Sequence, residues 1–315
     1  MNRIIEYMLP PQRSTVAAEV DSLFSFINIA GFILFAGIMI TIIIFVIKYR
    51  RKSEDDVTPV ITHNSILEVT WTVIPIFLIL IVFSWGFRGF LTLSSPPANA
   101  YEINVTAASW LWEFEYPTGG TTVNEVFVPV DRPVKFIMRS DDVLHSLYVP
   151  DFRIKMDVLP NRYTTTWFQA TETGESVLYC SEYCGTGHSD MLATVHVLTQ
   201  EDFEEWLETG LEVDEDMPLA ELGEATYTNA GCNACHSLDG TDRVGPSLAG
   251  LFGTERELED GSVVEADEDY IRRSIVEPQA EVTAGYPANM PSYQGRLSDR
   301  QIDGLIAFIK ELKDE

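Results

Sequence analysis

Two long uncharged stretches, followed by many short alternating ones, divide the chain before any single residue is weighed. Leu23 to Ile47 is 25 residues without a formal charge, and Lys48, Arg50, Arg51 and Lys52 follow it. Val69 to Phe87 gives 19 more, closed by Arg88. At about 1.5 Å per helical residue, either stretch crosses a hydrocarbon core of roughly 30 Å. The pattern predicts a transmembrane helical hairpin over residues 23–94, with spans at about 23–47 and 69–87. The cationic cluster after the first span marks its cytoplasmic end. An N-terminal segment, 1–22, then lies outside and shows no apolar signal core. Residues 48–68 form a short inner loop, and everything from Arg88 onward is external. Pro75 inside the second span predicts a bend and a freed carbonyl. Glu68 stands at the inner entrance of that span, where helix capping and proton uptake are both open readings.

From Tyr101 the period changes to two. Tyr101–Val105, Val123–Val130, Val134–Met138, Tyr163–Phe168 and Leu192–Leu198 alternate or are rich in β-formers, and glycines and prolines separate them. So many short strands in one segment predict an all-β sandwich or small barrel over residues 95–198. Residues 199–220 read as a short acidic helix around Trp206 and Leu207, then a linker at Pro218. Beyond it, residues 221–315 look helical. Ser298 to Gln301 is a capping-box start, and Leu305, Ile306, Phe308, Ile309 and Leu312 form an apolar stripe. Residues 254–270 read as an acidic, solvent-facing insertion.

Charge sharpens this division. The 315 residues carry 21 Lys+Arg and 48 Asp+Glu, a formal charge of −27. Residues 1–88 are neutral, 89–198 carry −7 and 199–315 carry −20. Such a chain is a poor partner for a phosphate backbone, which excludes nucleic-acid binding. The acid either keeps an external surface soluble or steers a cationic partner. At 46% hydrophobic, the chain is also no disordered polymer.

Two motifs carry chemistry. The first is Cys180-Ser-Glu182-Tyr-Cys184-Gly-Thr-Gly-His188-Ser-Asp-Met191, with His145 upstream in Asp142-Val-Leu-His145. Two thiolates, two imidazoles and a thioether make a soft ligand set suited to copper in electron transfer. A mononuclear blue-copper site needs one cysteine; a second allows both sulfurs to bridge two metals. A Cys180–Cys184 disulfide, a structural zinc and a Cys-His nucleophile are the rivals. The disulfide leaves His188 and Met191 unexplained. The second motif, Cys232-Asn-Ala-Cys235-His236, is the attachment unit of a c-type heme: two thioethers and an adjacent iron ligand. A redox Cys-x-x-Cys is the rival and has no use for His236. No histidine follows His236, so the sixth ligand falls to Met290, in the proline-rich Tyr286–Tyr293 segment, against a core-packing reading.

With Trp110-Leu-Trp112-Glu-Phe-Glu-Tyr116 added, residues 20–198 resemble subunit II of the heme-copper cytochrome c oxidases. Residues 221–315 resemble the small class I cytochrome c domains, whose carbonyl-bearing loop is similar to Gly245-Pro246-Ser-Leu248. The resemblance implies an all-β cupredoxin domain and an all-α cytochrome c domain on a membrane anchor. It implies a binuclear CuA centre held by His145, Cys180, Cys184, His188, Met191 and the main-chain carbonyl of Glu182. It also implies a magnesium ion, shared with subunit I, at the Glu182 carboxylate. Trp110 becomes the exposed aromatic where electrons enter, although a tryptophan pair in i, i+2 spacing also suits packing. Glu68 becomes the acid near the mouth of a proton channel. His196 has no place in the motif and reads as a strand residue.

The implied function is electron entry to a proton-pumping oxidase, from an external donor to heme c, to CuA, to the heme centres of subunit I. Oxygen reduction belongs to that partner. The remaining histidines, His63 and His196, are too few for an oxygen site here. Expected partners are subunits I and III, small subunits, and a soluble cytochrome c, another periplasmic donor or an upstream respiratory complex. The expected location is a bacterial inner membrane, with the N-terminus and C-terminal domains on its outer face. The rival classes are a nitric oxide or nitrous oxide reductase subunit, and a non-catalytic carrier or copper-assembly protein.

Overall fold

The computed structural model describes residues 9–57, 60–209 and 216–312. Residues 210–215 of the expected linker therefore lie outside the described residues. Two long helices come first: α1, Ala17–Lys48, and α2, Ser65–Leu93. Each contains an apolar window long enough to cross a membrane, and neither window is buried within the chain. The helices meet where Phe26 and Trp85 lie 6.1 Å apart, next to Gly86 and Leu23. Helix α2 starts with Asn64, whose Oδ1 accepts from the Leu67 amide. The helix continues through Pro75 to Leu93.

Helix α1 begins at Ala17, six residues before the uncharged stretch, because its first turns are held by protein rather than lipid. Asp21 is buried there and accepts from Arg153 Nε at 2.7 Å and from Arg153 Nη2 at 2.9 Å. Arg153 belongs to the β domain, so an ion pair ties anchor to sandwich.

That domain holds two five-stranded sheets. The first is built from β1 (Tyr101–Ala108), β2 (Leu111–Glu115), β3 (Thr121–Val123), β5 (Pro133–Ser140) and β8 (Thr164–Gln169), ordered β3-β2-β1-β5-β8. The second takes β4 (Glu125–Pro129), β6 (His145–Val149), β7 (Ile154–Val158), β9 (Gly174–Cys180) and β10 (Leu192–Leu198), ordered β4-β10-β9-β6-β7. Strict alternation along β5 turns every second side chain inward. Trp112, Phe114, Phe136, Phe152 and Phe168 fill the space between the sheets. Residues 123–130, which alternate like one strand, are in fact split. Asn124 adopts φ 59°, its amide donates to Trp112 O and its Oδ1 accepts from Trp112 N, so β3 and β4 join opposite sheets. His196 lies on β10, as its strand pattern predicts.

Helix α3 (Gln200–Thr209) packs Phe203 into the same core and stacks Trp206 on Phe127 at 4.2 Å. The C-terminal domain has α4 (Leu219–Asn229), a hairpin of β11 (Glu255–Glu257) and β12 (Val263–Glu265), α5 (Glu268–Val276) and α6 (Asp299–Glu311). The acidic segment expected as an insertion is that hairpin and the start of α5. Helices α4 and α6 cross in backbone contact: a Cβ at Gly223 would sit 2.0 Å from Gly304 O. The Ser298–Gln301 capping box opens α6, and Ile302, Leu305, Ile306 and Ile309 face a second core.

Candidate metal centre and heme cavity

Strand pairing assembles the first site. β6 and β9 are neighbours with Leu147 opposite Cys180, which brings His145 at the head of β6 beside Cys180 at the tail of β9. The loop from Ser181 then carries Cys184, turns through a 3-10 segment at His188–Asp190 and delivers Met191 just before β10. Cys180 Sγ lies 3.9 Å from His145 Nδ1, 3.7 Å from Cys184 Sγ and 3.3 Å from Glu182 O. Cys184 Sγ lies 3.5 Å from His188 Nδ1 and 3.8 Å from Met191 Sδ. The cysteines are free, so the disulfide rival is not formed. Five soft donors and one carbonyl thus converge in a pocket whose Met191, His145 and both cysteines are buried. Donor chemistry and convergence fit copper.

Asp142 is the residue that sequence reasoning passed over, although it stands three positions before His145. Its carboxylate takes His145 Nε2 at 2.7 Å, which turns Nδ1 toward the sulfurs. Burial disfavours the His145 imidazolium, but Asp142 and Cys180 outweigh it and push the group up to about 9. Asp142 in turn sits well below the usual carboxylate range: burial works against this, and the bonds from His145 and Ser109 prevail. Burial also opposes thiolate at Cys180, yet the hydrogen bonds from His145 and two backbone groups draw that thiol down. Burial and the neighbouring Cys180 push Cys184 up.

Trp110 departs from expectation. The resemblance implies an exposed aromatic, whereas the indole is only 8% exposed. Its ring lies on Gly185 and Gly187, where a Cβ at Gly187 would come within 2.6 Å. Its Nε1 donates to Cys184 O at 3.1 Å. Together with Leu111, it also lines a cleft belonging to the C-terminal domain.

Cys232, Cys235, His236 and Met290 line this same cleft. Gly231, with φ 74°, ends the α4 segment and starts the 3-10 turn Cys232–Ala234. His236 Nδ1 donates to Pro246 O at 2.7 Å, leaving Nε2 as the free ring nitrogen, and burial holds the ring's pKa below its usual value. Gly245 permits that approach, since a Cβ there would meet His236 at 2.6 Å. Tyr227 and Tyr293 brace the segment by donating to His236 O and Ala230 O at 2.6 and 2.8 Å. Met290 enters from a distant segment. An apolar cleft with two thiols, a neutral imidazole and a thioether fits a covalently held heme. Burial, and then the Asp190 carboxylate of the copper loop, push the Cys235 thiol up.

Glu68 is far from both. Its Oε1 accepts from the Asn64 amide at 3.2 Å, closing the cap of α2 at the end opposite the copper domain. Glu182 is exposed, with its carboxylate outside the donor cluster.

Comparison with known proteins bears on the domains and the family. Residues 3–88 match the transmembrane domain of cytochrome c oxidase subunit II, residues 120–198 its periplasmic domain, and residues 220–313 cytochrome c. Cytochrome c oxidase subunit 2 of Alkalihalophilus pseudofirmus is 33% identical over 291 residues, covering 88% of this chain and 83% of that protein. The chain belongs to the cytochrome c oxidase subunit II family. The Bacillus subtilis subunit 2 is 29% identical over 301 residues, covering 86% of this chain and 82% of that one. The crystal structure of the periplasmic domain of subunit II of Bradyrhizobium japonicum cytochrome oxidase is 30% identical. It covers 36% of this chain and 96% of that one, with a TM-score of 0.36. This subunit II is thus a membrane-anchored electron-transfer component of an oxidase complex, with copper and cytochrome c domains on one chain.

Proposed function

We propose that this subunit II receives electrons at a heme c in its C-terminal domain and relays them through a two-copper CuA centre to subunit I. Cys232 and Cys235 hold the heme covalently, and His236 and Met290 ligate its iron. His145, Cys180, Cys184, His188, Met191 and the Glu182 carbonyl hold the coppers. The two groups supply reversible one-electron chemistry at low reorganisation cost. The chain supplies position: Asp142 orients His145, and Pro246 O orients His236. Trp110 is the observation that carries the reading. Its indole forms part of the heme-cavity wall and donates to the main chain of a copper ligand, Cys184.

The exposed Glu182 carboxylate would, on this reading, bind a magnesium ion shared with subunit I. Glu68, at the start of α2, would serve proton uptake in a pumping oxidase. The complex includes subunit III and small subunits in a bacterial inner membrane, with domains 95–198 and 221–315 on the outer face. A soluble cytochrome c or another donor reaches the heme domain.

The test is Trp110→Phe in the assembled oxidase, with flash-induced electron transfer from heme to copper followed optically. The substitution keeps an aromatic ring but loses the bond to Cys184 O. Transfer slowed tenfold or more, with copper and heme spectra unchanged, is the expected result. A wild-type rate removes Trp110 from the relay.

A further inference from the structure

We infer that Arg296 is a positioning residue that locks the heme domain onto the copper domain in a single docked pose; the inference builds on the relay reading above. The starting point is an electrostatic mismatch. Residues 89–198 carry −7 and residues 199–315 carry −20, so the net charges of the two domains repel rather than steer. A local attraction has to decide how they meet.

Arg296 supplies it. From the turn before α6, its Nη1 lies 3.5 Å from the Glu113 carboxylate on β2, and its Nη2 lies 3.3 Å from Asp141 Oδ2, just after β5. The three side chains are 30%, 17% and 32% exposed, so solvent screens this fork less than it screens a surface pair. Both acids are fixed without help from the heme domain. Glu113 is held in the β2 ladder, Asp141 pairs with Arg139, and the Asp141 amide donates to Ala107 O at 3.0 Å.

On the other side, Arg296 is tied to the heme-attachment segment. Its amide donates to Tyr293 O at 3.0 Å, and the Tyr293 hydroxyl donates to Ala230 O at 2.8 Å, two residues before Cys232. A second point of contact lies there. Gly231, next to Cys232, abuts the β3–β4 break: a Cβ on it would be 2.9 Å from Val123 Cγ1 and 3.1 Å from Asn124 Nδ2. Val244 packs against the copper-domain core as a third. Together these contacts hold the heme domain against the copper domain at more than one point. In that pose Trp110 and Leu111 complete the heme-cavity wall.

The same geometry redirects the external donor. With Trp110 covered by its own heme domain, the copper face is closed to a soluble cytochrome, and electrons enter through the heme domain alone.

The experiment compares Arg296→Glu, Arg296→Lys, Glu113→Gln and the charge swap Arg296→Glu/Glu113→Lys in the full oxidase. Hydroxyl-radical footprinting reads the solvent access of Trp110 and Leu111, and flash photoreduction reads heme-to-copper transfer. Arg296→Glu is expected to raise labelling of both residues severalfold and to slow transfer at least tenfold, with heme absorbance and copper resonance unchanged. The charge swap and Arg296→Lys are expected to recover most of both; Glu113→Gln should show a smaller loss of the same kind. Wild-type labelling in Arg296→Glu, or increased labelling that the swap leaves uncorrected, overturns the lock. If Arg296→Glu fails to fold, wild-type labelling and transfer in Glu113→Gln overturn it instead. A wild-type chain lacking covalent heme overturns the relay reading, and footprinting then judges the lock on its own.

Discussion

Gly187 shows how much of this site depends on a missing side chain. The Trp110 ring occupies the space that a Cβ would need, at 2.6 Å. Gly187→Ala therefore pushes the indole off the copper loop and breaks the bond that Trp110 Nε1 donates to Cys184 O. Overpacking of this kind costs about 1–3 kcal/mol. A thermal midpoint several degrees lower is expected in the copper domain by calorimetry, with an altered copper spectrum. An unchanged midpoint and spectrum would mean the ring yields without loss. Residue identity made the ligand sets legible in the sequence, because soft donors in fixed spacing have few other uses. It did not make burial legible. Trp110 is covered by a domain more than 100 residues downstream, which no local pattern encodes. Asp142 was visible in the sequence as an acid three positions from His145, but its role depends on the turn that brings them to 2.7 Å.

Elements carry the ligands only as well as they are held. The pairing of β6 with β9 places His145 against Cys180, and the contact of α4 with α6 through Gly223 and Gly304 steadies the heme-attachment segment. Helix α1 is joined to the copper domain by Asp21 and Arg153, whose side chains are 6% and 8% exposed. Removing one partner of such a buried pair costs about 3–5 kcal/mol, since the other charge is left uncompensated. Asp21→Ala is expected to loosen the sandwich from its anchor, read as faster proteolysis of residues 9–16 in the purified oxidase; unchanged cleavage would count against the pair. Periodicity found both membrane helices because an uncharged run admits few other readings. It missed the first six residues of α1, where ion pairing replaces apolarity. It also joined β3 to β4, because the alternation continues through Asn124 while the backbone does not.

At the scale of the whole molecule, a neutral anchor carries two acidic domains whose sites share one cleft wall. Fusion replaces a diffusional encounter with a tethered one, which raises the effective concentration of donor at acceptor. On the proposed relay, the acid of the heme domain would favour an external donor with a basic docking face. Everything in this picture depends on both metal sites being filled as their ligands imply. The deciding measurement is the electron paramagnetic resonance spectrum, with metal analysis, of the full chain purified apart from subunit I. Two equivalent copper nuclei sharing one electron give a seven-line pattern, and the account expects that pattern with two coppers and one iron per chain. A four-line pattern with one copper, or no copper at all, would contradict it.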